Sequence, residues 1–197
     1  MTAAQLVAHH EEAEEFGGYF IINGIERIMR FIILQRRHYV FALLRNSYQS
    51  RGASYSPYAV SIRCVRPDET GMTNTLHYLT DGGVTLRFIW RKREYFIPIV
   101  LILKALVSPS DKEIFEGIMM GDYQNTFLMD RVELLLRNFK TFGLKTDEQC
   151  LDYLGSKFRI VLSTPEDLTN REVGAELLKK IVLVHLANFR DKYRLVL

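Results

Sequence analysis

The chain has 197 residues, 48% of them apolar, and a formal charge of +3, a balance that excludes a disordered chain and gives no nucleic-acid signal from net charge alone. Two cysteines, Cys64 and Cys150, exclude a disulfide framework and a paired-CxxC zinc site, and favour a reducing compartment. Neither end reads as a signal peptide, and the longest apolar run, "YFIPIVLILKALV" (95–107), is broken by Pro98 and Lys104 and too short to cross a bilayer, so a soluble protein without a membrane partner is expected.

Taken in chain order, "AAQLVAHHEEAEEF" is a short amphipathic lead-in, and Gly17-Gly18 breaks it from the apolar run 19–22. Asn23-Gly24 marks a tight turn, since both residues tolerate positive φ, and 25–34 is expected to resume as the second strand of a hairpin, covered on both sides for part of its length. Residues 38–45 continue the sheet, and "NSYQSRGASYSP" is a polar loop. Strand character returns in 58–65, 74–80 and 84–90, with Asp81-Gly82-Gly83 as a hairpin turn between the last two and "RKRE" (91–94) as an exposed turn after them.

Beyond that point the apolar spacing changes from two toward three and four. Ser110 with Glu113, Thr146 with Gln149 and Thr169 with Glu172 fit capping boxes ahead of apolar-periodic segments, and "FLMDRVELLLRNFKTFG" carries a helical stripe closed by Gly143. Strands first and helices later give an α+β fold, with an antiparallel β-rich first half and a helical second half. There is no internal repeat. The final "FRDKYRLVL" has no polar tail, from which a piece of a longer chain is expected.

The chemistry-bearing patterns are few. His9-His10 before Glu11-Glu12 lacks the helical HExxH spacing of zinc proteases, and His38, His77 and His185 are isolated in sequence. No phosphate loop, dinucleotide fingerprint or GxSxG elbow occurs. The charge distribution is more informative, because residues 27–66 hold eight arginines and no acid, whereas residues 1–26 hold five acids and no base. On an extended strand Arg27 and Arg37 share one parity, Arg30 and Arg36 the other. A phosphate backbone accepts several arginines without a carboxylate partner. A solvated basic face, or pairing with Glu11 to Glu15, explains the same pattern.

Three motifs carry a resemblance. "GGYFIINGIERI" (17–28) resembles the GGYFIINGxEK signature of the second-largest subunit of eukaryotic and archaeal multisubunit RNA polymerases. "YFIPIVLILKALVSPSDKEIFEGI" (95–118) resembles that subunit's IPIVIIFRALG-type segment, and "CLDYLG" (150–155) its ALDFIG-type segment. The order is that of the family, and nearly the whole chain is covered. "HHEEAEEFGGYFIINGIERIMRF", the following Arg36-Arg37 and "SRGASYSPYAVSIRCVR" look most like the polymerase I form; the polymerase II type carries GSEK and AQER at the corresponding places.

The resemblance implies that 1–37 form the edge of a protrusion domain, 38–185 a lobe, and 186–197 a return toward the protrusion. It implies a structural wall of the DNA cleft in an enzyme that makes ribosomal RNA precursor in the nucleolus. Its implied partners are the largest subunit and other polymerase I subunits, a TFIIF-like heterodimer, a small zinc-ribbon cleavage subunit, DNA and the RNA–DNA hybrid. Arg27 and Arg30, with Arg36 and Arg37, become the nucleic-acid-binding candidates. No catalytic or metal-binding residue of the family maps here, and the Mg²⁺ of the whole enzyme belongs to other regions. The equivalent region of a polymerase II or III subunit, or a free-standing nucleic-acid-binding adaptor, is the competing reading.

Overall fold

The computed structural model describes residues 2–15 and 17–184. The chain divides into two compact units, Met1–Leu34 and Gln35–Leu197. His185, the end of the helix expected to follow Thr169, and the 186–197 return segment lie outside the described residues.

In the first unit, α1 (Ala3–Ala8) starts at a capping box in which Thr2 Oγ1 accepts from the Gln5 amide and the Gln5 side chain accepts from the Thr2 amide. Strands β1 (Tyr19–Ile22) and β2 (Ile25–Ile28) pair antiparallel across Asn23 and Gly24, whose φ angles of 54° and 74° give the doubly left-handed turn that matches strand twist. The expected strand to Leu34 is therefore too long. The last register pair is Tyr19 with Ile28, so beyond Ile28 the backbone has no neighbouring strand to bond among the described residues. Nor is it covered on both sides, since Phe31 and Ile33 are fully solvent-exposed at 103% and 101%. No described residue of this unit is buried.

The second unit contains a five-stranded antiparallel meander, β3 (Val40–Leu44), β4 (Tyr55–Val65), β5 (Gly71–Leu79), β6 (Val84–Trp90) and β7 (Arg93–Pro98), in that spatial order. The β4–β5 register shifts between Tyr55 and Ala59, a stretch that includes Pro57, which has no amide to donate. The polar loop expected over 46–57 is shorter than the sequence suggests: a 3₁₀ helix takes Asn46–Arg51 and β4 begins at Tyr55. The turn of Asp81-Gly82-Gly83 and that of Arg91-Lys92 close the two tight hairpins, the latter with φ angles of 49° and 65°.

Pro98 splits the long apolar run. It ends β7 and stands at the N-cap of α2 (Ile99–Val107), where a missing N–H costs nothing. Helices α3 (Asp111–Met119), α4 (Thr126–Lys140), α5 (Asp147–Leu162) and α6 (Asn170–Leu177) follow; Ser110, Thr146 and Thr169 close the three capping boxes expected of them. Phe88, Ile97, Leu101, Ile102, Leu154 and Leu177 are among the side chains that fuse sheet and helices into one core. Each such side chain contributes about 1.5–3 kcal/mol by leaving water. Where α5 crosses α6, Gly155 faces the Asn170 carbonyl and Gly174 the Leu151 carbonyl, with no room for a Cβ at either.

After α6 the chain widens into a π-helical turn at Leu178–Val182. The sheet serves the carbonyls this frees: Asn74 Nδ2 donates to Ile181 and Val182 (3.2 and 3.3 Å), and Arg66 donates to Lys180 (2.7 Å).

Candidate nucleic-acid interface

The hairpin places Arg27 on β2, opposite Phe20 of β1, and Arg30 two residues past the end of the strand. Both side chains are exposed, and neither forms an ion pair among the described residues. Alternation puts Phe20, Ile22, Ile25 and Arg27 on one face of the hairpin. A guanidinium beside apolar side chains and without a carboxylate is free to place its fork on a phosphate.

Arg36 and Arg37 belong to the second unit and differ from the first pair. Arg36 lies over the Tyr39 ring, 5.4 Å from its centroid. Arg37 binds Glu69 through both forks, at 3.0 and 2.5 Å. The segment 27–66 contains no acid, but the fold brings one from just beyond it. Both partners are more than half exposed, so the pair stabilises little and leaves Arg37 able to exchange partners. Among the other arginines of the basic segment, Arg51 pairs with Glu94 and Arg66 is held by the Lys180 carbonyl.

The sheet face carrying His77 holds a cluster that the sequence did not reveal. His77 is fully buried, with Tyr48 edge-on at 4.6 Å and Tyr55 at 5.6 Å between ring centroids. Burial first, then the nearby Arg51 and Arg87 charges, push its pKa down to about 4, so the ring is neutral at physiological pH. Glu94 bridges Arg51 and Arg87, and the hydrogen bond from Arg87 leads in holding its carboxyl below the usual range. The 3₁₀ helix that positions Tyr48 and Arg51 lies in the stretch read from sequence as a plain loop, which is why the cluster escaped detection.

Neither cysteine is set up as a nucleophile. Cys64 and Cys150 are buried and free, and burial pushes both thiols up, away from the reactive thiolate. Among the described residues no three His, Cys, Asp or Glu side chains are grouped to hold a metal, and no helix is long and apolar enough to cross a membrane.

Residues 36–195 match the family described as RNA polymerase Rpb2, domain 2. The chain is 57% identical over 192 residues to the DNA-directed RNA polymerase I subunit RPA2 of Neurospora crassa, covering 95% of this chain and 16% of that protein. It is 53% identical over 201 residues to subunit RPA135 of Saccharomyces cerevisiae, covering 100% of this chain and 17% of that one. To the human subunit RPA2 it is 42% identical over 188 residues, covering 95% and 17%. The chain thus spans about a sixth of the length of these relatives.

Proposed function

The chain belongs to the RNA polymerase Rpb2 domain 2 family, and from that premise we propose that it serves as a wall of the nucleic-acid cleft in DNA-directed RNA polymerase I. The observation that carries the polymerase I assignment is identity above one half to fungal polymerase I subunits along nearly the whole chain. In this role the complete enzyme synthesises ribosomal RNA precursor in the nucleolus, and this portion supplies shape and charge. In this reading the Mg²⁺ of the whole enzyme is held by other regions, and no catalytic step is assigned to this portion.

Within that role, residues 1–37 form the edge of the protrusion domain, 38–185 the lobe, and 186–197 a return segment toward the protrusion. Arg27 and Arg30 face phosphates of the DNA or of the RNA–DNA hybrid; their exposure without a carboxylate partner supports this placement. Arg36 and Arg37 contribute more weakly, being already engaged by Tyr39 and Glu69. The second unit also docks polymerase-associated proteins, a TFIIF-like heterodimer and a small zinc-ribbon cleavage subunit, beside the largest subunit.

The experiment is site-specific photocrosslinking in assembled polymerase I carrying a photoreactive residue in place of Arg27 or Arg30. Crosslinks to template DNA or nascent RNA are expected from both positions. Crosslinks to protein alone would overturn the placement.

A further inference from the structure

Strand β7 pairs with β6 on one side and with no strand on the other among the described residues. Its outward backbone groups are therefore a template for an added strand. Beside this edge lies an apolar groove of about 250 Å³, to which β7 gives Phe96 and Pro98, α2 gives Leu101, and α5 gives Tyr153 and Lys157; Phe142, past the end of α4, closes it. Phe142 and Phe96 are both substantially exposed, although each lies next to buried core.

Among the described residues, the unpaired charges of this strand, its turn and the groove lining have one sign. Arg91 donates to the Ser163 hydroxyl, while Lys92, Arg93 and Lys157 form no ion pair among the described residues; Lys157 lies 5.7 Å from the Tyr153 ring centroid. Glu94, the one acid in the strand, is occupied by Arg51 and Arg87. A second copy of the chain would bring the same cations against each other, which disfavours self-pairing. An acidic strand would be attracted and held in register.

We propose that the β7 edge and its groove bind an extended acidic peptide segment of a partner protein by strand addition, with the side chains of one parity, apolar and acidic in turn, directed to the groove face, where the carboxylates meet Arg93 and Lys157. Main-chain hydrogen bonds supply the affinity, and the Phe142, Tyr153 and Pro98 surface selects the side chains. The inference deepens the docking role proposed above and rests on it. The two fail separately, because the docking role is tested by association of intact subunits and this one by the chain alone with a synthetic peptide.

The probe is a capped peptide of about eight residues with valine and glutamate in turn at its odd positions and serine at its even positions, titrated into the full chain and followed by backbone amide chemical shifts. Perturbations are expected along β7 and the facing side of α5. N-methylation at every second peptide residue should weaken binding at least tenfold for one parity and much less for the other, because only one parity points its amides at the edge. Lys157→Glu should weaken the acidic peptide about three- to tenfold and improve a valine–lysine peptide. Equal effects of the two methylation parities, perturbations confined to β3, or no saturable binding would overturn the proposal.

Discussion

Gly155 and Gly143 show how different two helix-associated glycines can be. At Gly155 an added Cβ would strike the Asn170 carbonyl, and backbone in a helix crossing cannot step aside cheaply. Gly155→Ala should therefore destabilise the second unit by several kcal/mol, read from urea unfolding, as overpacking at a close approach does. Gly143 has open space around it and needs only its φ of +68°, so Gly143→Ala should cost about 1 kcal/mol. Similar losses for the two would contradict the crossing geometry. The arginines pose the converse case, of side chains whose removal should leave the fold alone. Because Arg27 and Arg30 are exposed and form no ion pair among the described residues, the double alanine variant should keep the melting temperature of the chain within about 1–2 °C of the parent. Unfolding of the variant would show that they hold the fold. The acid-free run of eight arginines was legible from sequence, but which of them were free was not. Glu69 lies 32 residues from Arg37 and Glu94 lies 43 from Arg51, distances over which only the meander's register brings partners together.

At the level of elements, the signals read correctly were those confined to one turn of chain. The three capping boxes of α3, α5 and α6 and the Asn23-Gly24 hairpin each depend on residues within three positions of one another. The misreadings concerned length: β2 stops where β1 stops, and the 3₁₀ helix over Asn46–Arg51 forms in a segment without apolar periodicity. That 3₁₀ helix has a measurable consequence, because its Tyr48 packs on His77. With a folded pKa of about 4 against an ordinary 6.5, His77 binds its proton more readily in the unfolded chain throughout that interval. Stability should thus be complete above about pH 6.5 and fall as pH drops toward 4, by on the order of 3 kcal/mol. Glu94, whose pKa is lowered, adds a loss in the same direction as pH falls through its folded value. His77→Phe should flatten the part of the profile between pH 6.5 and 4 in a series of urea titrations. A parent protein equally stable at both ends of that interval would refute a buried neutral ring.

At the scale of the molecule, the two units differ in what holds them. The first exposes Phe20, Ile21, Ile22, Ile25 and Ile28 on a two-stranded hairpin with no buried residue, whereas the second has a continuous core. An isolated hairpin is marginal in water. Limited proteolysis should accordingly remove the first unit early and spare the second; early cleavage between β6 and β7 into two stable pieces would contradict a single core. The α+β class was legible because strand and helix periodicities occupy separate halves of the sequence. Membership in the polymerase subunit family was legible only through the motifs at 17–28, 95–118 and 150–155, since nothing in the charge pattern alone separates a nucleic-acid-facing surface from a solvated one. The measurement that bears most directly on that role is the salt dependence of the elongation complex in polymerase I reconstituted with Arg27 and Arg30 both replaced by alanine. If the two guanidiniums meet phosphates, the slope of log affinity against log salt should flatten by roughly one unit for each phosphate no longer neutralised, with assembly intact. An unaltered slope in a fully assembled enzyme would contradict a cleft wall that grips nucleic acid through these two arginines.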